Sequence, residues 1–179
     1  MKLIILDRDG VINEDSKNYI KSPEEWMPIH GSLESIGRLC RNDFRVVIVT
    51  NQSGIGRKLF SIESLNLIHK KMNLYLMRYG AVIDAIFFCP CVPEKKCSCR
   101  KPKPGLFNQV SERYGISLSN TYCVGDKITD IDAAITAGGI PVLVKTGKGG
   151  DAVSKGIIPK NVSIYKDLAA FVTHITTKK

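Results

Sequence analysis

The sequence predicts an α/β fold with three layers and a mainly parallel sheet. Short apolar runs rich in β-branched residues recur along the chain, as in Leu3–Leu6 and Arg45–Val49. Stretches with apolar residues near every 3.6 positions separate them, and strands alternating with helices build parallel sheets. Three of the runs end in polar groups, at Asp7, at Thr50-Asn51 and at Gly125-Asp126, as the carboxyl ends of strands do where a ligand binds.

The elements follow in order. Lys2 to Leu6 reads as a buried strand with Asp7 at its end. Residues 10–30 hold Gly10, Asn13, Asp15, Ser16, Asn18, Pro23 and Pro28, and read as a long loop. Gly31-Ser32 starts a helix carrying Leu33, Ile36, Leu39 and Cys40. Arg45 to Val49 is the second strand. Ser61 is the candidate N-cap of a helix that runs to Tyr79 and stops at Gly80. Ala85 to Phe88 is the third strand and leads into a cysteine-rich segment. Pro104 suits a first helical turn, and that helix runs to Tyr114-Gly115. Thr121 to Val124 is the fourth strand, Ile128 to Ala137 a short helix, and Pro141 to Val144 the fifth strand. Gly147, Gly149 and Gly150 read as a loop, and residues 166–175 as a closing helix. The connections after Asp9 and after Thr50 are too short for a large cap domain, so residues 1–179 are expected to form one domain.

Composition narrows the function class. The chain has 179 residues, 44% hydrophobic and 24% charged, with no apolar run long enough to span a bilayer. Its start meets acid after four apolar residues, too early for a signal peptide, so a cytoplasmic protein is expected. The net charge of +9 suits an anionic substrate and also a nucleic acid, and alone does not separate them.

Carboxylates gathered at one sheet edge repel unless a cation lies between them, and Mg²⁺ prefers such oxygen ligands beside phosphate. In the spacing Asp7-x-Asp9, an extended strand would put both side chains on one face. Asp7 could then attack phosphorus while Asp9 serves the leaving oxygen as acid and the hydrolytic water as base. Thr50 would donate its hydroxyl to the phosphoryl oxygens.

The run Asp7-Arg8-Asp9-Gly10, then Thr50-Asn51, then a lysine before a helix, then Gly125-Asp126 with Asp130, resembles the haloacid dehalogenase (HAD) superfamily of phosphatases. The resemblance implies a Rossmann-like fold and an aspartyl-phosphate intermediate. It also implies Mg²⁺ bound by the Asp7 carboxylate, the Asp9 backbone carbonyl and Asp126. Val11 follows Gly10 where that superfamily often has Thr.

The segment from Cys89 to Cys99 carries Cys89, Cys91, Cys97 and Cys99, two Cys-x-Cys pairs across five residues. Four thiolates suit a closed tetrahedral Zn²⁺ site, and thiolates select zinc over magnesium. Cys40 and Cys123 lie in core segments and read as packing residues. The zinc loop would hold the basic turn from Arg100 to Gly105 over the acidic site.

With Thr50-Asn51-Gln52-Ser53-Gly54-Ile55-Gly56-Arg57 upstream, the loop and its Cys-Arg-Lys-Pro-x-Pro-Gly ending are similar to the heptose 1,7-bisphosphate 7-phosphatase family. That family commonly has His where Cys91 stands. The similarity implies an enzyme acting on a small phosphorylated sugar, on the route to nucleotide-heptose and lipopolysaccharide, and a monomer is expected. It makes Lys101 the lysine that neutralises the transferring phosphoryl group, with Lys103 as the rival. Arg100 and Lys127 become substrate contacts, as do Asp15, Ser16, Asn18 and Tyr19 and the segment Asn51, Gln52 and Ser53. Histidinol phosphate and terminal phosphates on DNA are the alternative substrates. A zinc-containing nucleic-acid or partner-binding module with a vestigial site is the alternative of another class, and the intact set Asp7, Asp9, Thr50, Lys101 and Asp126 argues against it.

Overall fold

In a computed structural model, residues 1–177 are described. Six strands form one sheet: β1 (Lys2–Leu6), β2 (Phe44–Asn51), β3 (Ile83–Cys89), β4 (Tyr122–Gly125), β5 (Ile140–Val144) and β6 (Ser163–Tyr165). All neighbouring pairs are parallel and the order is β3-β2-β1-β4-β5-β6. The chain builds outward from β1 to β3 on one side, then returns to lay β4 against the other. That reversal opens a crevice beyond the carboxyl ends of β1 and β4, where ligands bind in such sheets.

The helices are α1 (Ser32–Arg41), α2 (Ser53–Gly56), α3 (Ile62–Met77), α4 (Gly105–Tyr114), α5 (Ile128–Thr136), α6 (Gly149–Ser154) and α7 (Leu168–Thr177). Period-two alternation sorts the strands between two cores. Ile4, Leu6, Val46 and Ile48 face a cluster with Leu33, Ile36 and Leu39 of α1, Ile68 and Met72 of α3, and Phe171 of α7. Leu3, Ile5, Val47 and Val49 face the opposite cluster, with Leu106, Phe107 and Val110 of α4 and Ala133 and Ala134 of α5. Both faces of the central strands are therefore covered, which fits their nearly unbroken apolar runs.

Local chemistry explains the boundaries. The Ser61 hydroxyl accepts the Ser64 N–H and caps α3. Gly115 ends α4 in the left-handed region, at φ 62°. Two expectations are corrected and one strand was missed. Strands β2 and β3 run on through Thr50-Asn51 and Cys89, so these residues leave the sheet edge itself rather than a loop beyond it. Gly149 and Gly150 open α6 instead of continuing a loop. Strand β6 went unread because its three residues, Ser163, Ile164 and Tyr165, are largely exposed and form no apolar run.

The long loop of residues 10–30 folds back on the sheet. Trp26, fully buried, meets Tyr75 of α3 edge to face at 5.7 Å between ring centroids. Lys71 of α3 donates to the carbonyls of Pro23 at 2.6 Å and Trp26 at 3.1 Å, which fastens this loop beside the crevice. No helix among the described residues is long and apolar enough to cross a membrane.

Candidate active site and thiolate cluster

Asp7 is the first residue past β1, and its N–H bonds to the Val124 carbonyl of β4 at 2.9 Å. Asp126 follows β4 directly and Asp130 sits in the first turn of α5, where it accepts the Lys127 N–H at 2.9 Å. Carboxylate oxygens of Asp7, Asp126 and Asp130 lie within 4.8 Å of one another, all buried. Lys101 reaches into this group from the turn before α4. Its ammonium lies 3.1 Å from Asp7 Oδ1 and 2.6 Å from Asp130 Oδ1, and it donates to the Val49 carbonyl at 2.9 Å.

Burial alone would push Lys101 toward its neutral form, but Asp130 and Asp7 outweigh it and hold its pKa above the usual lysine range. Burial raises the Asp7 carboxyl despite Lys101. Burial, with repulsion from Asp130 and Asp7, lifts Asp126 to about 8 against the pull of Lys127. Lys127 adds a second ammonium, 3.6 Å from Asp126 Oδ1, so two cations face three buried carboxylates and do not fully neutralise them. Asp126 Oδ2 accepts the Lys148 N–H at 2.8 Å, while its buried Oδ1 has no hydrogen-bond partner. A buried carboxylate oxygen that accepts no hydrogen bond, gathered with other acids, is the donor set that a hard divalent cation fits. Lys103, the rival lysine, points away and donates to the Lys96 carbonyl at 2.6 Å.

The strand argument for Asp9 is corrected. Strand β1 ends at Leu6, and the Arg8 carbonyl accepts the N–H groups of Val11, Ile12 and Asn13, so a tight turn replaces extended chain. The Asp9 side chain meets the fully buried Arg8 guanidinium at 2.8 Å and also accepts from Asn13 Nδ2 and Gln52 Nε2, each at 2.9 Å. Burial would raise the Asp9 carboxyl, yet Arg8 and these bonds overcome it and hold it below the usual range.

His69 of α3 stands behind Arg8, with Nε2 3.4 Å from Nη1. Burial and the guanidinium lower its pKa to about 4 from 6.5. A histidine with a depressed folded pKa stabilises the fold above 6.5, and that contribution is lost as pH falls toward 4. By linkage it amounts to about 3 kcal/mol. Urea midpoints of the wild type are expected to fall across this interval more steeply than those of His69→Gln, whose side chain stays neutral. Parallel profiles would contradict the assignment.

Thr50 is fully buried and its Oγ1 accepts from Gln52 Nε2 at 2.9 Å. Asn51 bonds the Lys101 backbone both ways, from Nδ2 to the carbonyl at 3.1 Å and from the Lys101 N–H to Oδ1 at 3.2 Å. It thereby ties the lysine's turn to β2. Outside these groups opens a cavity of about 300 Å³ lined by Asp9, Asp15, Ser16, Tyr19, Ile20, Asn51, Gln52, Ser53, Arg100, Lys101, Lys127 and Thr129. Two of these lining residues pair, Lys127 with Asp15 at 3.2 Å. Burial disfavours the charge on Lys127, but Asp7, Asp126 and Asp15 outweigh that and raise its pKa.

Of the expected contacts, Asn18 alone lies elsewhere, lining a neighbouring hollow with Lys21 and Glu25. Ile20 and Thr129 were missed, because neither residue type announces a site. A larger hollow of about 420 Å³ lies at the amino ends of the strands, near Lys2, Asn120 and His174, and holds none of the acids.

Cys89 ends β3, and Cys91, Cys97 and Cys99 curl around it, with all four Sγ atoms within 4.8 Å. The Sγ of Cys89 lies 3.0 Å from that of Cys99 and 3.5 Å from that of Cys97, far beyond disulfide length, and all four thiols are free. Zn–S bonds of about 2.3 Å separate tetrahedral sulfurs by about 3.8 Å, so the cluster fits zinc with a small expansion. Hydrogen bonds from Cys99, Cys91 and Cys89 outweigh burial and lower the Cys97 thiol to about 6. The loop is joined to the site. Gln52 N–H donates to the Cys89 carbonyl at 2.7 Å, and Arg100 Nη1 donates to the Cys91 carbonyl at 3.1 Å.

Residues 98–171 match the HAD-hydrolase-like family model. The chain is 48% identical to D-glycero-β-D-manno-heptose-1,7-bisphosphate 7-phosphatase of Bordetella bronchiseptica, over 95% of each chain. It is 44% identical to the enzyme of that name from Pseudomonas putida, over 98% of this chain and 99% of the relative. The crystal structure of D,D-heptose 1,7-bisphosphate phosphatase from B. bronchiseptica, complexed with magnesium and phosphate, superposes at TM-score 0.98 with 46% identity over the whole of both chains. The corresponding Burkholderia thailandensis structure gives TM-score 0.80 and 39% identity, covering 99% of this chain and 100% of the other. With such identity along almost its full length, the chain belongs to the D-glycero-β-D-manno-heptose-1,7-bisphosphate 7-phosphatase family of HAD-like hydrolases.

Proposed function

We propose that this protein hydrolyses the 7-phosphate of D-glycero-β-D-manno-heptose 1,7-bisphosphate, with Asp7 as the phosphoryl acceptor. The observation that carries the reading is the pairing of Asp7 with Lys101, a residue that lines a cavity together with Arg100 and Lys127. One phosphoryl group would sit against Asp7, Lys101 and Thr50. The distal end of the substrate, with its second anionic group, would meet Arg100 and Lys127.

Asp7 attacks phosphorus and the ester oxygen leaves, its proton supplied by Asp9. Water then attacks the aspartyl-phosphate, with Asp9 as base, to release phosphate and restore the Asp7 carboxylate. In its observed place Asp9 is bonded to Arg8, Asn13 and Gln52. Acid duty requires it to exchange some of these bonds for the leaving oxygen. Mg²⁺, held by Asp7, the Asp9 carbonyl and Asp126, would neutralise charge between carboxylates and phosphoryl oxygens. Asp15, Ser16, Tyr19, Ser53 and Gln52 would contact the sugar.

Phosphate release measured across both anomers of the heptose 1,7-bisphosphate, histidinol phosphate and a 3′-phosphorylated oligonucleotide tests the reading. The β-anomer is expected to exceed histidinol phosphate by about 10²-fold or more in kcat/KM, because a site built for sugar hydroxyls and a second phosphate leaves polar groups unpaired with the smaller substrate. Preference for histidinol phosphate would reject it.

Zinc in the thiolate cluster would fold the segment that carries Arg100 and Lys101. Chelation is expected to remove about one zinc per chain, to lower Tm, and to raise KM for the bisphosphate. Metal analysis alongside thermal melts checks this, and a folded, fully active protein with no zinc would contradict it.

A further inference from the structure

The glycine cluster at 147–150 forms no part of the cavity wall, yet its first residues press on Asp126. That side chain is fully buried, and its two oxygens differ in partners. Oδ2 accepts the Lys148 N–H at 2.8 Å, while Oδ1 has no hydrogen bond and faces the Lys127 ammonium at 3.6 Å. Gly147 has φ 56°, and a Cβ there would overlap Asp126 Oδ2 and come within 2.8 Å of the Gly10 Cα. Gly10, at φ 87°, approaches the same carboxylate oxygen, so that a Cβ on it would also overlap Asp126. Thr146 then closes the arrangement by donating from Oγ1 to the Gly10 carbonyl at 2.6 Å. Two backbones thus grip one carboxylate, and only glycine leaves room for it at either point.

We infer that residues 146–148 position Asp126 for the cation: they fix its rotamer by binding Oδ2, so that Oδ1, which accepts no hydrogen bond and faces the Lys127 ammonium at 3.6 Å, can turn its lone pairs to Mg²⁺. The inference rests on the proposed role of Asp126 as a ligand. A loop that merely closed the fold would have no need to spend a backbone N–H on this oxygen. Partners that orient a ligand typically change metal affinity 10- to 100-fold when removed.

The test is calorimetric titration of Mg²⁺ alone into zinc-loaded, magnesium-free protein, with Tm recorded before and after saturation. Gly147→Ala is expected to weaken Mg²⁺ binding by about 10- to 100-fold and to shrink the magnesium-induced rise in Tm. Thr146→Val, which keeps the shape and removes the hydroxyl, is expected to weaken it several-fold, and Thr146→Ser to restore it. A purely structural role predicts instead a lower magnesium-free Tm with unchanged Mg²⁺ affinity. Should Gly147→Ala fail to fold, Thr146→Val decides. Wild-type affinity in both loop variants, beside weak binding in Asp126→Asn, would overturn the positioning role alone. Wild-type affinity in Asp126→Asn would remove the ligand assignment and the inference together.

Discussion

Asp7→Asn is expected to abolish phosphate release, lowering kcat by at least about 10⁴-fold, the scale on which removal of a covalent nucleophile acts. The amide keeps the shape of the carboxylate and can still accept the Arg8 N–H that now reaches Oδ1 at 2.8 Å. It cannot attack phosphorus, and it lacks the charge that pairs with Lys101 at 3.1 Å. The fold should survive, because removing one of three mutually repelling buried carboxylates relieves repulsion. Unchanged or raised Tm beside lost turnover is therefore the expected pattern. Turnover within tenfold of wild type, measured by phosphate release, would remove the nucleophile assignment.

Lys101→Met is expected to cost both activity and stability. Methionine fills the channel of the lysine stem but leaves Asp7 and Asp130 without the ammonium that now touches both. It also leaves the Val49 carbonyl without its donor. Stripping one partner from a buried charge cluster costs about 3–5 kcal/mol, and the loss should be largest in magnesium-free buffer. The pH dependence has a definite sign. The Asp7 carboxyl already lies above its ordinary range through burial, and Lys101 is the main force holding it down. Without the lysine the carboxyl rises further. Protonation then relieves the variant at low pH, and the stability gap to wild type widens as pH rises through the raised pKa. Loss of the cation opposite the transferring phosphoryl group should lower kcat by about 10²- to 10³-fold. Lys103→Met, whose ammonium only meets the Lys96 carbonyl, serves as the control. Equal effects in the two variants would contradict the placement.

Much of this was legible in the residues. The runs that became β1, β2, β4 and β5 are apolar because both faces of the sheet are covered, and that composition is visible along the chain. Asp7, Thr50 and Asp126 could be placed at strand ends because a strand's end shows where apolar residues stop. The thiolate cluster was legible because Cys-x-Cys pairs need little more than a turn to converge.

The pairing of Asp9 with Arg8 was not legible, since the Asp7-x-Asp9 spacing was read as extended chain where a tight turn follows the end of β1 at Leu6. His69 carried no signal, because its partner is 61 positions away. The choice between Lys101 and Lys103 depended on which side chain the turn before α4 aims inward, and two lysines two residues apart read alike. The grip of Gly10 and Gly147 on Asp126 joins residues far apart in the chain through a contact that only the folded sheet creates.

The most direct test is chemical trapping. Wild-type protein, mixed with the heptose 1,7-bisphosphate and Mg²⁺ and quenched during turnover, is treated with borohydride to reduce any acyl phosphate, then digested for peptide mass analysis. Reduction at Asp7, absent without substrate and absent in Asp7→Asn, is the expected result. An unmodified Asp7 peptide at full turnover, or reduction at Asp126 or Asp130 instead, would contradict it.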